Sequence, residues 1–165
     1  MLTLNQMRVK ILSKGDKMRI IDFNLKIKKL SESAVIPEYK TEGASGMDLC
    51  STERITIMPF ERKLVPTGIA IQLERGFEAQ LRPRSGTSIK HGLTLVNCVG
   101  TIDEDYRGEI FIPMINLSST PYTIEIGERV AQMVIARYSS VVIQVVDELD
   151  DTERGSGGFN STGKF

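Results

Sequence analysis

Residues 154–163 read Arg-Gly-Ser-Gly-Gly-Phe-Asn-Ser-Thr-Gly, and these residue types suit one task. Glycines let backbone N–H groups turn toward an anion. The hydroxyls of Ser161 and Thr162 add donors, and Arg154 adds a forked charge that fits phosphate. Phe159 offers a flat face for a base. A phosphate grip and a base platform on one glycine-rich segment point to a nucleotide and a lid. Taken alone, the same composition also describes a disordered tail. Gly158 to Lys164 spells the start of a P-loop, G-x-x-x-x-G-K, but Phe165 stands where that motif needs Ser or Thr.

Four upstream segments carry comparable chemistry. Pro83-Arg84-Ser85-Gly86-Thr87-Ser88 follows a strand-like run and opens a short helix. A helix start presents free N–H groups and suits phosphate, and Arg84 and Ser85 add side-chain donors. A plain serine cap beside a surface arginine fits that segment as well. In Asn97 to Glu109, apolar Val99 and Ile102 flank polar groups in a strand-turn-strand pattern. Asp103 beside Ile102 is expected to be partly buried, which raises its basicity and suits it to activate water. Tyr106 is placed to pack flat against a sugar. Asp-Glu-Asp is also a common solvated turn. In Gly127-Glu128-Arg129-Val130-Ala131-Gln132, the amide of Gln132 lies among apolar neighbours and needs a partner. Asp48, in Ala44-Ser45-Gly46-Met47-Asp48-Leu49, fits a turn cap or a place near a hydrated metal ion.

The elements that must position these groups are strands. Ile55 and Ile57, Ile69 to Leu73, and Phe77 to Leu81 alternate with the two-residue repeat of half-buried strands. Residues 110–112 and 130–135 are more continuously apolar and read as strands buried on both faces. Residues 141–146 are β-branched and read as one more strand. Turn signals at Pro59, Gly68, Gly76, Gly108, Pro121 and Gly127 separate the runs, which argues for an all-β sandwich or barrel. The single helix is expected over 85–90, with Gly92 as its stop.

Composition narrows the field. The chain has 165 residues, enough for one domain with a real core. Lys plus Arg is 21 and Asp plus Glu is 21, so zero net charge provides no global pull toward nucleic acid or an anionic membrane. No apolar run is long enough to span a bilayer, and no signal peptide is evident, so a cytoplasmic location is expected. Cys50 and Cys98 lack metal spacing and read as reduced, buried thiols. His91 is the sole histidine and reads as a loop or helix-end residue. Residues 1–17 read as an N-terminal extension, with Met18 as the expected native start of a strand-like run reaching Leu30. Residues 18–150 form the domain, and 151–165 a flexible lid.

Together and in this order, the five segments resemble the five motifs of the trimeric dUTPases. That resemblance implies a jelly-roll β-barrel with one short helix, assembled as a homotrimer whose active sites are shared between subunits. It implies hydrolysis of dUTP to dUMP and pyrophosphate with Mg²⁺. That reaction keeps uracil out of DNA and supplies dUMP for thymidylate synthesis. Asp103 would activate the water that attacks the α-phosphorus, and Tyr106 would stack under the deoxyribose and exclude a 2′-hydroxyl. Asn97, with the hairpin backbone of Gly100, Thr101 and Ile102, would read the uracil edge. Arg84, Ser85, Gly86 and Gln132 would hold the phosphates, and Asp48 would approach the metal through water. Phe159 would cover the uracil while Arg154, Ser161 and Thr162 close on the phosphates. Thr87-Ser88 departs from the family's usual apolar residue and alanine. A dCTP deaminase, which shares the fold, and a non-catalytic trimeric nucleotide-binding regulator are the competing readings. A complete tail motif and the presence of Asp103 weigh against both.

Overall fold

The structure is a computed structural model that describes residues 23–158. The expected start at Met18, and Phe159, Ser161 and Thr162 of the tail, lie outside the described residues. Among the described residues, eleven strands and one helix run in the order β1 (Lys26–Lys29), β2 (Met47–Cys50), β3 (Ile55–Ile57), β4 (Arg62–Pro66), β5 (Ile69–Gln72), β6 (Phe77–Pro83), α1 (Ser85–His91), β7 (Leu93–Leu95), β8 (Gly100–Ile102), β9 (Phe111–Asn116), β10 (Tyr122–Ile124) and β11 (Arg129–Arg137). They pair antiparallel in four small sheets: β1-β5, β10-β3, β2-β11-β6-β8 and β4-β9-β7.

The alternation in the sequence dictates which face each strand buries. In β6, Phe77, Ala79 and Leu81 point inward, while Glu78, Gln80 and Arg82 are half-buried on the other face. In β9, Ile112, Met114 and Asn116 are buried between more open neighbours. Phe77, Ala79, Leu81, Ile112 and Met114 join Leu49, Ile57, Val65, Ile69, Leu93, Ile124 and Met133 in one core. Each large aliphatic group taken fully out of water contributes about 1.5–3 kcal/mol. Asn116 is fully buried yet satisfied: its amide donates to the carbonyls of Ile57 (3.0 Å) and Thr120 (2.8 Å) and accepts from Ser118. Among the described residues, no helix is long and apolar enough to cross a membrane.

The helix forms where expected, one residue longer. Gly92 caps it in the left-handed region (φ 67°), where a Cβ would be strained, and its N–H returns to the Ser88 carbonyl. The cap at the other end is Arg84, without a side-chain cap bond, so Ser85 is the first helical residue. His91 ends the helix and stacks on Tyr122 at 4.5 Å between ring centres.

Several expectations are corrected. Residues 141–146 form no strand: Val142 is 97% exposed, and the segment finds no partner strand among the described residues. β-branched composition favours extended backbone, but a strand also needs a neighbour for its N–H and C=O groups. Residues 110–112 are not buried on both faces, because Phe111 turns outward between buried Ile110 and Ile112. Along β11, Gln132 and Val134 stay half-open, while Val130 and Ala131 are both buried where a bulge shifts the pairing with β2. Cys98 is exposed; Cys50 is buried, and that burial raises its thiol pKa above the ordinary value.

Candidate active site

The four-stranded sheet sets out the first part of the site. Central strand β11 places Gln132 opposite Asp48 of β2 on one side and Arg82 of β6 on the other. The Gln132 amide donates to the Pro83 carbonyl at 3.0 Å, supplying the partner its polar group needs. Gly46 makes this position reachable, because a Cβ there would stand 2.6 Å from the Gln132 Oε1. Pro83 leads into Arg84, which carries the strand directly into α1.

Asp48 holds two arginines. Its Oδ1 meets Arg84 Nε at 3.0 Å and its Oδ2 meets Arg129 Nη1 at 3.0 Å, with its side chain only 16% exposed. Arg84 Nη1 also donates to the Arg129 carbonyl at 2.9 Å. The exposed N–H groups of Ser85 and Gly86 lie in the first helical turn, which leaves them without intrahelical partners. Arg84, Gly86 and Arg129 line an open hollow of about 400 Å³, bounded further by Lys90, His91 and Tyr122. Burial, together with a 2.6 Å hydrogen bond to Glu128, pushes the Tyr122 hydroxyl up to about 12, and the Glu128 carboxylate lines the same hollow. The cradle suits a polyanion, and its cations are held in place before any ligand arrives.

The second part is the hairpin between β8 and β9. Thr101, Ile102, Asp103, Tyr106, Glu109 and Phe111 line a hollow of about 200 Å³. Tyr106 folds back so that its hydroxyl donates to the Glu109 carbonyl at 2.9 Å. Gly108 leaves room for this, since a Cβ there would stand 2.4 Å from the Tyr106 hydroxyl. The Glu109 carboxylate accepts the Gly68 N–H at 2.8 Å and ties the hairpin base to the core. Asn97 is exposed beside Gly100, whose added Cβ would meet the Asn97 amide nitrogen at 3.3 Å. Asp103 is exposed rather than partly buried, because nothing among the described residues covers the hairpin tip. Its carboxylate makes no hydrogen bond or ion pair among the described residues.

The third part stands apart. Arg154 Nε donates to the Gly157 carbonyl at 2.8 Å, inside its own turn. Thus Asp48, Arg84 and Gln132 come together with Ser85 and Gly86 at the strand-to-helix junction. Asp103, Tyr106, Thr101 and Ile102 come together in a separate hollow. Among the described residues, no hydrogen bond or ion pair links the cradle, the Asp103 hairpin and Arg154. Arg129, Glu109, Gly46 and Gly108 escaped the sequence reading as site residues. Arg129 lies three positions before Gln132 in the same motif, which was its available signal.

Residues 32–163 match the family described as dUTPase. A deoxyuridine 5'-triphosphate nucleotidohydrolase of Finegoldia magna is 54% identical over 142 residues, covering 84% of this chain and 99% of the relative. One from Nautilia profundicola is 55% identical over 140 residues, covering 85% and 99%. Among solved structures, the Staphylococcus bacteriophage 80alpha dUTPase with dUpNHpp superposes with a TM-score of 0.80 at 29% identity, over 85% of this chain and 98% of that one. A dUTPase variant from phage phi11 of S. aureus, described with a structural Mg(II) ion, gives 0.74 at 25% identity over 78% and 100%. On a family match spanning most of its length, and on relatives more than half identical across nearly their whole length, this chain belongs to the dUTPase family.

Proposed function

We propose that this chain hydrolyses dUTP to dUMP and pyrophosphate as a homotrimer in the cytoplasm, lowering dUTP and supplying dUMP. The observation that carries the reading is the contrast within the hairpin. Glu104 and Glu109 are tied by hydrogen bonds, whereas Asp103 and Asp105 make none among the described residues, and of those two only Asp103 lines the hollow beside Tyr106. An unengaged carboxylate at a defined position is what a water-activating base requires.

In this reading Asp103 orients a water molecule and takes its proton as the water oxygen attacks the α-phosphorus. The bond from that phosphorus to the bridging oxygen breaks, and pyrophosphate leaves. Arg84, Ser85, Gly86 and Gln132 hold the phosphates so that attack is in line, and positioning with charge neutralisation supplies most of the rate. Tyr106 packs under the deoxyribose. Asn97 and the backbone of Gly100, Thr101 and Ile102 read the uracil edge. Phe159 covers the base, and Arg154, Ser161 and Thr162 of the 151–165 lid close on the phosphates and exclude water.

Mg²⁺ fits this donor set. Among the described residues no cluster of His, Cys, Asp or Glu offers a direct cage, and both Asp48 oxygens already face arginines. Asp48 would therefore meet a hydrated ion held on phosphate oxygens, the mode Mg²⁺ favours. Bound there, the ion would offset charge on the triphosphate. The trimer is supported by the chain's membership of the dUTPase family and its likeness to solved dUTPases.

The test is pyrophosphate release with Mg²⁺ from dUTP, dTTP, dCTP and UTP in parallel, with ammonia followed as well. Release from dUTP alone is expected. Ammonia from dCTP would move the assignment to a deaminase, and silence on all four to a binding protein.

A further inference from the structure

The hairpin carrying Asp103 is anchored at its far side by a contact that reaches across the fold. The Glu104 side chain turns away from the hollow, and its Oε2 accepts the Gly76 N–H at 2.6 Å and the Tyr138 hydroxyl at 2.7 Å. Gly76 sits in the turn between β5 and β6, and its carbonyl accepts the Tyr138 N–H at 3.1 Å. Glu104, Gly76 and Tyr138 thus close a ring of three hydrogen bonds. The Tyr138 hydroxyl and the Gly76 N–H hold the Glu104 carboxyl below its ordinary value, with Arg75 and Arg107 acting in the same direction. It therefore remains an anion and a strong acceptor.

Location gives the ring its importance. Glu104 is the residue after Asp103. Tyr138 is the first residue past β11, where the exposed segment leading to Arg154 departs. Among the described residues, the other side-chain and turn bonds of the hairpin tip are internal: the Tyr106 N–H to the Asp103 carbonyl, the Tyr106 hydroxyl to the Glu109 carbonyl, and Arg107 Nη1 to the carbonyls of Glu104 and Tyr106. We infer that Glu104 and Tyr138 form a positioning pair that fixes the Asp103 loop and ties it to the root of the C-terminal segment. The inference rests on the reading of the chain as a dUTP hydrolase with Asp103 as its base. A base displaced by an ångström can lose up to about 100-fold in rate, so a loop anchor acts on turnover more than on binding.

The experiment is steady-state dUTP hydrolysis by the full chain and by Tyr138→Phe, Glu104→Ala and the double variant, with dUpNHpp affinity and melting measured beside it. Tyr138→Phe removes one exposed hydroxyl and leaves the ring, so the fold is retained. It is expected to lower kcat by about 10-fold while KM and dUpNHpp affinity stay within about twofold. In the Glu104→Ala background the same change is expected to cost nothing more, because its partner is gone. Unchanged kcat in Tyr138→Phe, equal losses in both backgrounds, or KM and dUpNHpp binding weakening as much as kcat falls would each overturn the inference. An unmodified chain silent on dUTP would overturn the hydrolase reading itself, a result distinct from active enzyme with unaffected variants.

Discussion

Gly108→Ala is the sharpest probe of the sugar gate. No left-handed φ is required at Gly108, so the backbone tolerates alanine and any effect comes from the added carbon. That carbon would stand 2.4 Å from the Tyr106 hydroxyl, 2.6 Å from Cζ and 3.1 Å from Cε2. Carbon atoms rest about 3.5–4.0 Å apart, so the ring must retreat by roughly 1 Å or more. A phenol ring cannot bend, and its exit breaks the 2.9 Å bond to the Glu109 carbonyl. The lost bond costs about 0.5–1.5 kcal/mol net. Tyr106 is 42% exposed, so the ring swings outward and the core is spared. Stability should fall by only about 1 kcal/mol. The gate should suffer more: an ångström of misplacement predicts a drop of about 10- to 100-fold in the ratio of kcat/KM for dUTP over UTP. The assay is pyrophosphate release from both nucleotides, with thermal melting as control. An unchanged ratio would show that Tyr106 does not read the sugar. A collapse of the fold would show that the ring is structural instead.

Three further outcomes are expected. Asp103→Asn should retain dUpNHpp binding and lose turnover by about 100-fold or more; undiminished turnover would remove Asp103 as the base. Deleting residues 154–165 should lower turnover by at least about 10-fold while sedimentation shows the same assembly; dissociation would make the tail a structural element. Ser88→Ala should raise stability by about 1 kcal/mol, because the Ser88 Oγ is buried without a hydrogen-bond partner among the described residues and alanine is the better helix former. A lower melting temperature would show that the hydroxyl has a partner in solution.

Local patterns carried much of the fold into view. The two-residue alternation of β6 and the glycine stop after α1 are properties of neighbouring residues, and both appear as expected. The motif segments also fall near one another, since Arg84 and Gln132 lie at one strand-to-helix junction. What stayed hidden depends on distant pairs. Gly46 reads as a turn residue until the Gln132 amide is seen against it, and Gly108 until the Tyr106 ring is placed. The bond between Glu104 and Tyr138 joins residues 34 apart in the chain, which no periodicity reports. Residues 141–146 failed in the opposite way, because strand composition does not supply a partner strand.

In the proposed reading, Asp48 gives the phosphate cradle a built-in counterion. Two guanidinium groups facing an empty cleft would repel each other and attract whatever anion is abundant. With a carboxylate set between them at 3.0 Å from each, the trio carries one net positive charge instead of two. A longer polyanion such as single-stranded nucleic acid then meets a weak electrostatic trap, in keeping with a chain of zero net charge. A triphosphate that fits the cleft instead competes with a resident carboxylate for arginines already aligned. Its selection therefore rests more on shape and less on ionic strength than two free arginines would allow.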